Sequence, residues 1–135
     1  MTNSPRLLIV EDDKDSCEML LLIVRKLFPG LETHSAGNGE LAWELCQRII
    51  PDIVITDLNM PVLDGLQLAR MIRAAYPQTR LVALSADLER TALEGSAADR
   101  LLFDHFILKP FKFSALSAAI ENILPHAGRV RPTNG

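Results

Sequence analysis

A chain of 135 residues, 48% apolar and 23% charged, has the size and composition of one globular domain around one core. Its net charge of −3 leaves no broad basic surface for nucleic acid. The longest unbroken apolar run, Met19 to Val24, is six residues, far short of the ~20 needed to span a bilayer. The polar start Met1 to Pro5 lacks the apolar core of a secretory signal. A cytoplasmic chain without membrane association is therefore expected.

Strand-like runs and helical patterns alternate from one end to the other. Leu7-Leu8-Ile9-Val10 reads as a short buried strand after an N-terminal tail of residues 1–5. Asp15 to Phe28 carries helical spacing, with Leu20, Val24 and Leu27 on one face, and Pro29-Gly30 stops it. Residues 31–35 can form a second strand. Gly37-Asn38-Gly39 reads as a turn and helix cap leading into a helix through Leu41, Leu45 and Ile49. Strand 53–56 follows, then a helix from about Asp64 to Ala75 with Asp64 as N-cap. Strand 81–84, a weaker helix within 88–100, strand 106–108 and a last helix from about Ser114 to Leu124 complete the pattern. Pro125 to Gly135 lacks periodicity and reads as a flexible tail. Five strand–helix units with short connections predict an α/β domain over residues 6–124, with a parallel sheet covered on both faces. Cys17 and Cys46 fall within predicted helices and read as free thiols.

In open parallel sheets, sites form beyond the carboxyl ends of the strands, where strand order reverses. The chemistry is therefore sought just past each apolar run. The first strand runs into Glu11-Asp12-Asp13, the third ends at Asp57, the fourth at Ser85, and the fifth at Lys109-Pro110. If the first and third strands are neighbours, three carboxylates converge. Like charges so close raise one another's pKa or require a cation. An all-oxygen set with an open face suits Mg²⁺. Lys109 brings a fixed positive charge and Ser85 a neutral hydroxyl. His34, His105 and His126 share no ligand spacing, so no histidine metal site is expected.

The stretches "LLIVEDD", "DLNMPVLDG", "LSA" and "LKPF", in this order and approximate spacing, resemble the receiver domain of bacterial two-component response regulators over about Arg6 to Leu124. The resemblance implies a flavodoxin-like (βα)5 sandwich whose five-stranded parallel sheet has the order 2-1-3-4-5. It implies that Asp57 is the phosphoacceptor. Asp12 would bind Mg²⁺ directly, Glu11 through water, and Asn59 through its backbone carbonyl. Ser85 and Lys109 would hold the phosphoryl oxygens, Phe106 would be the aromatic switch residue with Ser85, and the Lys109–Pro110 peptide would be cis. The phosphodonor would be a sensor histidine kinase or a histidine phosphotransferase. With no helix pair for DNA after residue 124, output would pass to a downstream protein target. Self-catalysed phosphotransfer and dephosphorylation would make the chain a signalling switch.

Three departures shape the expectation. Phe106 lacks the hydroxyl of the Tyr often found in this family. "EGSAADRLLFDHF" matches the family poorly and is expected to carry a partner contact. Leu21 and Leu22 fall near the polar arc of the first helix, which hints at a docking surface for the phosphodonor. Other functions fit less well. A flavin carrier of the same fold needs a neutral, hydroxyl-rich loop after the first strand, and "EDDKD" would repel the FMN phosphate. An aspartyl-phosphate hydrolase places its nucleophile after the first strand. A receiver-like scaffold that never sees phosphate would have no need of the complete acidic set.

Overall fold

The computed structural model describes residues 4–58, 60, 63–85 and 101–124. The expected helix within 88–100, the tail 125–135, Asn59 and most of the expected tail at 1–5 lie outside the described residues. The elements are β1 (Arg6–Val10), α1 (Lys14–Leu27), β2 (Glu32–Ala36), α2 (Gly39–Ile49), β3 (Ile53–Asp57), α3 (Gly65–Ala75), β4 (Arg80–Ser85), β5 (His105–Leu108) and α4 (Phe113–Ile123). The five strands are all parallel and lie in the order β2-β1-β3-β4-β5. This is the flavodoxin-like arrangement expected, with four helices among the described residues.

Side chains alternate across a strand, so each apolar run feeds two cores. Leu7, Ile9, Ile53, Ile55, Val82, Leu84 and Ile107 pack with α1 and α4. Leu8, Val10, Val54, Leu81 and Ala83 pack with α2 and α3 on the other face. Both sets are buried, which is why the strands read as continuous apolar runs and not as alternating ones.

The helix starts are explained by their caps. The Asp13 carboxylate accepts from Ser16 N at 2.9 Å, and the Asn38 side chain accepts from Leu41 N at 2.9 Å. Asp64 caps α3 as expected, and Gln67 reaches back to the Asp64 N–H, closing a reciprocal capping box. On α1, Cys17, Leu20, Leu21, Val24 and Leu27 form one inward stripe. Leu21 is half-buried against the core, which corrects the expectation that it shares an exposed face with Leu22. The exposed apolar side chains of α1 are Met19 and Leu22, three residues apart, at 54% and 69% exposure. Both cysteines are free, and burial pushes the Cys46 thiol up to about 12.

Candidate functional site

Strand order reverses between β1 and β3, because the chain leaves β1 outward to β2 and then returns to its other side. Val10 pairs with Thr56, so the residues just beyond them share one rim. Alternation continues past the strands. Glu11, Asp57 and Lys109 have the parity of Ile9, Ile55 and Ile107, and so lie toward the α1/α4 side. Glu11 and Asp57 are both buried, while Asp12 is exposed at the mouth.

The three acids the sequence pointed to do converge. Glu11, Asp12 and Asp57 each offer an oxygen, and these oxygens lie within 4.8 Å of one another. Lys109 Nζ donates to Asp57 Oδ2 at 3.1 Å and lies 3.4 Å from both Glu11 oxygens. The Lys109–Pro110 peptide is cis, as expected, and Lys109 N donates to Ser85 O at 2.7 Å, which ties β5 to the end of β4. Ser85 is fully buried, one residue past Leu84, the register partner of Asp57.

Burial pushes the Glu11 carboxyl up to about 7, and Asp57 beside it pushes the same way against the opposing pull of Lys109. Burial works against the Lys109 ammonium, but Asp57 and Glu11 outweigh it and hold its pKa above the ordinary value. Among the described residues, one ammonium, in contact with Asp57 and Glu11, thus stands beside three clustered carboxylates, which leaves surplus negative charge in a partly dry setting. That donor set, all oxygen and open through Asp12, fits a hard divalent cation such as Mg²⁺.

Phe106 is half-buried among the α2/α3 core residues, and its ring centroid is 5.4 Å from that of Phe103. Sequence reasoning missed a groove of about 430 Å³ that opens beside Lys109 and Glu11, lined by Met19, Leu20, Phe111 and Phe113 among others. The cluster of four phenylalanines in 103–113 was the available signal, but only the packing separates core rings from groove rings.

A profile of the response regulator receiver domain matches residues 7–121. The chain belongs to that family. This receiver is 34% identical over 125 residues to the regulatory protein AtoC of Escherichia coli, covering 92% of the chain and 26% of AtoC. It is 32% identical over 130 residues to the transcriptional regulatory protein PrrA of Mycobacterium leprae, covering 93% of the chain and 52% of PrrA. Its fold matches the crystal structure of the N-terminal domain of an uncharacterized protein from Wolinella succinogenes, with a TM-score of 0.77 and 34% identity over 88% of this chain and 93% of that one. The chain spans between a quarter and a half of the length of these two curated relatives. Receivers of this family act in two-component signalling as phosphorylation-dependent switches. Among the described residues, no helix is long and apolar enough to cross a membrane.

Proposed function

We propose that Asp57 is the phosphoacceptor of this receiver. The observation that carries the reading is the contact of Lys109 Nζ with Asp57 Oδ2 within a three-carboxylate cluster. One Asp57 oxygen forms a bond to phosphorus as the bond from phosphorus to the donor's histidine nitrogen breaks. That nitrogen keeps the electron pair and takes up a proton. Charge spreads over the three equatorial phosphoryl oxygens, and stabilising it is most of the catalytic task. Lys109 lies where it can hold one such oxygen, and Ser85 supplies a hydroxyl from the end of β4. Asp12 and Asp57 would hold Mg²⁺ directly, Glu11 through water, and Asn59 through its carbonyl. When bound, the ion neutralises the carboxylates and stabilises the transferring group.

Ser85 and Phe106 form the switch in this reading. Phosphate draws in Ser85, and the Phe106 ring turns inward. The phosphoryl group shifts the equilibrium only by what it contacts differently in the two states. Output then passes to a protein target through the stretch around 95–106, whose first part lies outside the described residues.

Incubation with acetyl phosphate and Mg²⁺, read by intact mass, tests the assignment. The native chain gains one phosphoryl group, and Asp57→Ala gains none while melting as a folded protein. Phosphate at another residue of the variant would move the site.

The phosphodonor docks over α1 and the groove beside Lys109, where Met19, Leu22 and Phe113 leave apolar surface exposed. Leu22→Glu then slows transfer from a cognate histidine protein about tenfold, the cost of one lost interface anchor, and leaves acetyl phosphate kinetics unchanged. An equal fall in both rates would assign Leu22 to the fold.

A further inference from the structure

The Asp57 carboxylate lies toward the α1/α4 side, but its main chain is braced from the opposite face of the sheet. Thr56, fully buried on the α2/α3 face, donates its hydroxyl hydrogen to the carbonyl oxygen of Asp57 at 2.9 Å. Gly65 N donates to Leu58 O at 3.3 Å and closes the loop after the phosphoacceptor. A Cβ on Gly65 would run into that same Asp57 carbonyl oxygen and come within 2.8 Å of Leu58 Cα and 3.1 Å of Asp57 C. Gly65 is helical, so its role here is close approach and not an unusual φ.

The brace is stiff at its root. Gly65 is the first residue of α3, directly after the reciprocal cap between Asp64 and Gln67. Leu68, Ala69 and Ile72 of α3 are fully buried against the sheet. A helix start held by its own cap and by its core face cannot yield easily to an intruding methyl group.

We infer that Thr56 and Gly65 are positioning residues, which hold the Asp57 main chain so that its carboxylate stays aligned for attack on phosphorus. The inference rests on Asp57 being the phosphoacceptor. The geometric demand is steep, since a displacement of about 1 Å can cost roughly a hundredfold in rate. A Cβ at Gly65 forces a shift of that order unless α3 recoils. Losing the Thr56 hydroxyl removes that one hydrogen bond to the carbonyl without adding bulk.

Single-turnover phosphorylation by acetyl phosphate at saturating Mg²⁺ separates positioning from folding, with urea titration confirming that each variant is folded. Gly65→Ala should react roughly a hundredfold more slowly. Thr56→Val, nearly isosteric, should react about tenfold more slowly, the scale of one hydrogen bond, while Thr56→Ser should restore the rate. Gly37→Ala is the control, because a Cβ there meets nothing within 4 Å. If Gly65→Ala does not fold, the Thr56 pair decides. Folded Thr56→Val reacting at the native rate, or Thr56→Ser as slow as Thr56→Val, would overturn the inference. If the native chain takes no phosphate, the phosphoacceptor reading fails first and the inference falls with it.

Discussion

The two ends of the sheet are both charged, and they differ in how the charges are matched. At the end where strands begin, three arginines pair with two carboxylates, Arg6 with Glu32 and both Arg73 and Arg80 with Asp104, and the Asp52 carboxylate accepts from the Arg6 main-chain N–H. Arg6 also caps the α2 C-terminus through Ile49 O at 2.7 Å. Arg73 reaches the carbonyls of Pro77, Thr79 and Leu102, at 2.9, 3.0 and 2.6 Å. Asp104 also accepts from Leu81 N at 2.8 Å. At the end where strands finish, among the described residues, one lysine contacts two buried members, Glu11 and Asp57, of a cluster of three carboxylates. Matched charges clamp elements together. A buried surplus of one sign is costly, and it persists where a cation and an incoming group complete it.

The sharpest way to break this contrast is pH. Glu11 is held at about 7 in the metal-free protein, against 4.5 in an unfolded chain. Between those values the folded state binds the extra proton, so stability falls as pH rises through the window. The full swing for a shift of that size is about 3 kcal/mol. Glu11→Gln removes it. In EDTA, the variant should gain up to that amount over the native protein between pH 5 and pH 7.5, by urea titration at the two pH values. Added Mg²⁺ should restore the native protein at the higher pH by mass action, and Asp12→Asn should lose most of that gain. A native protein indifferent to both pH and Mg²⁺ would mean that the acids are not a surplus at all.

At the other end, Arg73→Ala should destabilise by about 2 kcal/mol, because several carbonyls and Asp104 lose a charged donor although water can partly replace it. The phosphorylation rate of the folded variant should not change. A slower rate would show that the clamp and the site are coupled across the sheet.

The smallest effect belongs to Ile50, the C-cap of α2, which sits at φ 46°. That is a left-handed position which a β-branched residue adopts at a cost of roughly 1–2 kcal/mol. Its side chain is mostly exposed, so little packing offsets the strain. Ile50→Gly should stabilise by about 1 kcal/mol, measured by urea titration, with phosphorylation untouched.

Legibility in the sequence varies by residue. The acids, Ser85 and Lys109 could be found because parallel-sheet topology places chemistry at strand ends, and each apolar run marks its own end. Asp64 as cap and Asn38 as turn-and-cap were legible because capping is local. The exposed partner of Leu22 was not, since a helical wheel cannot tell which of two neighbouring leucines meets the sheet. Packing assigns Leu21 inward and leaves Met19 outside.

Element order, the two-sided burial of the strands and the set of candidate acids were determined by sequence alone, because they depend on local periodicity and on the residues just past each apolar run. Tertiary structure decided the rest. It seated Lys109 against both Asp57 and Glu11, 52 and 98 residues away in the chain. It gathered the arginine clamps from segments far apart in the chain. It also set the α3 start so close behind Asp57 that only a glycine fits. None of these has a local signal, because a distance between two main chains is fixed by how whole layers pack and not by the residues on either side.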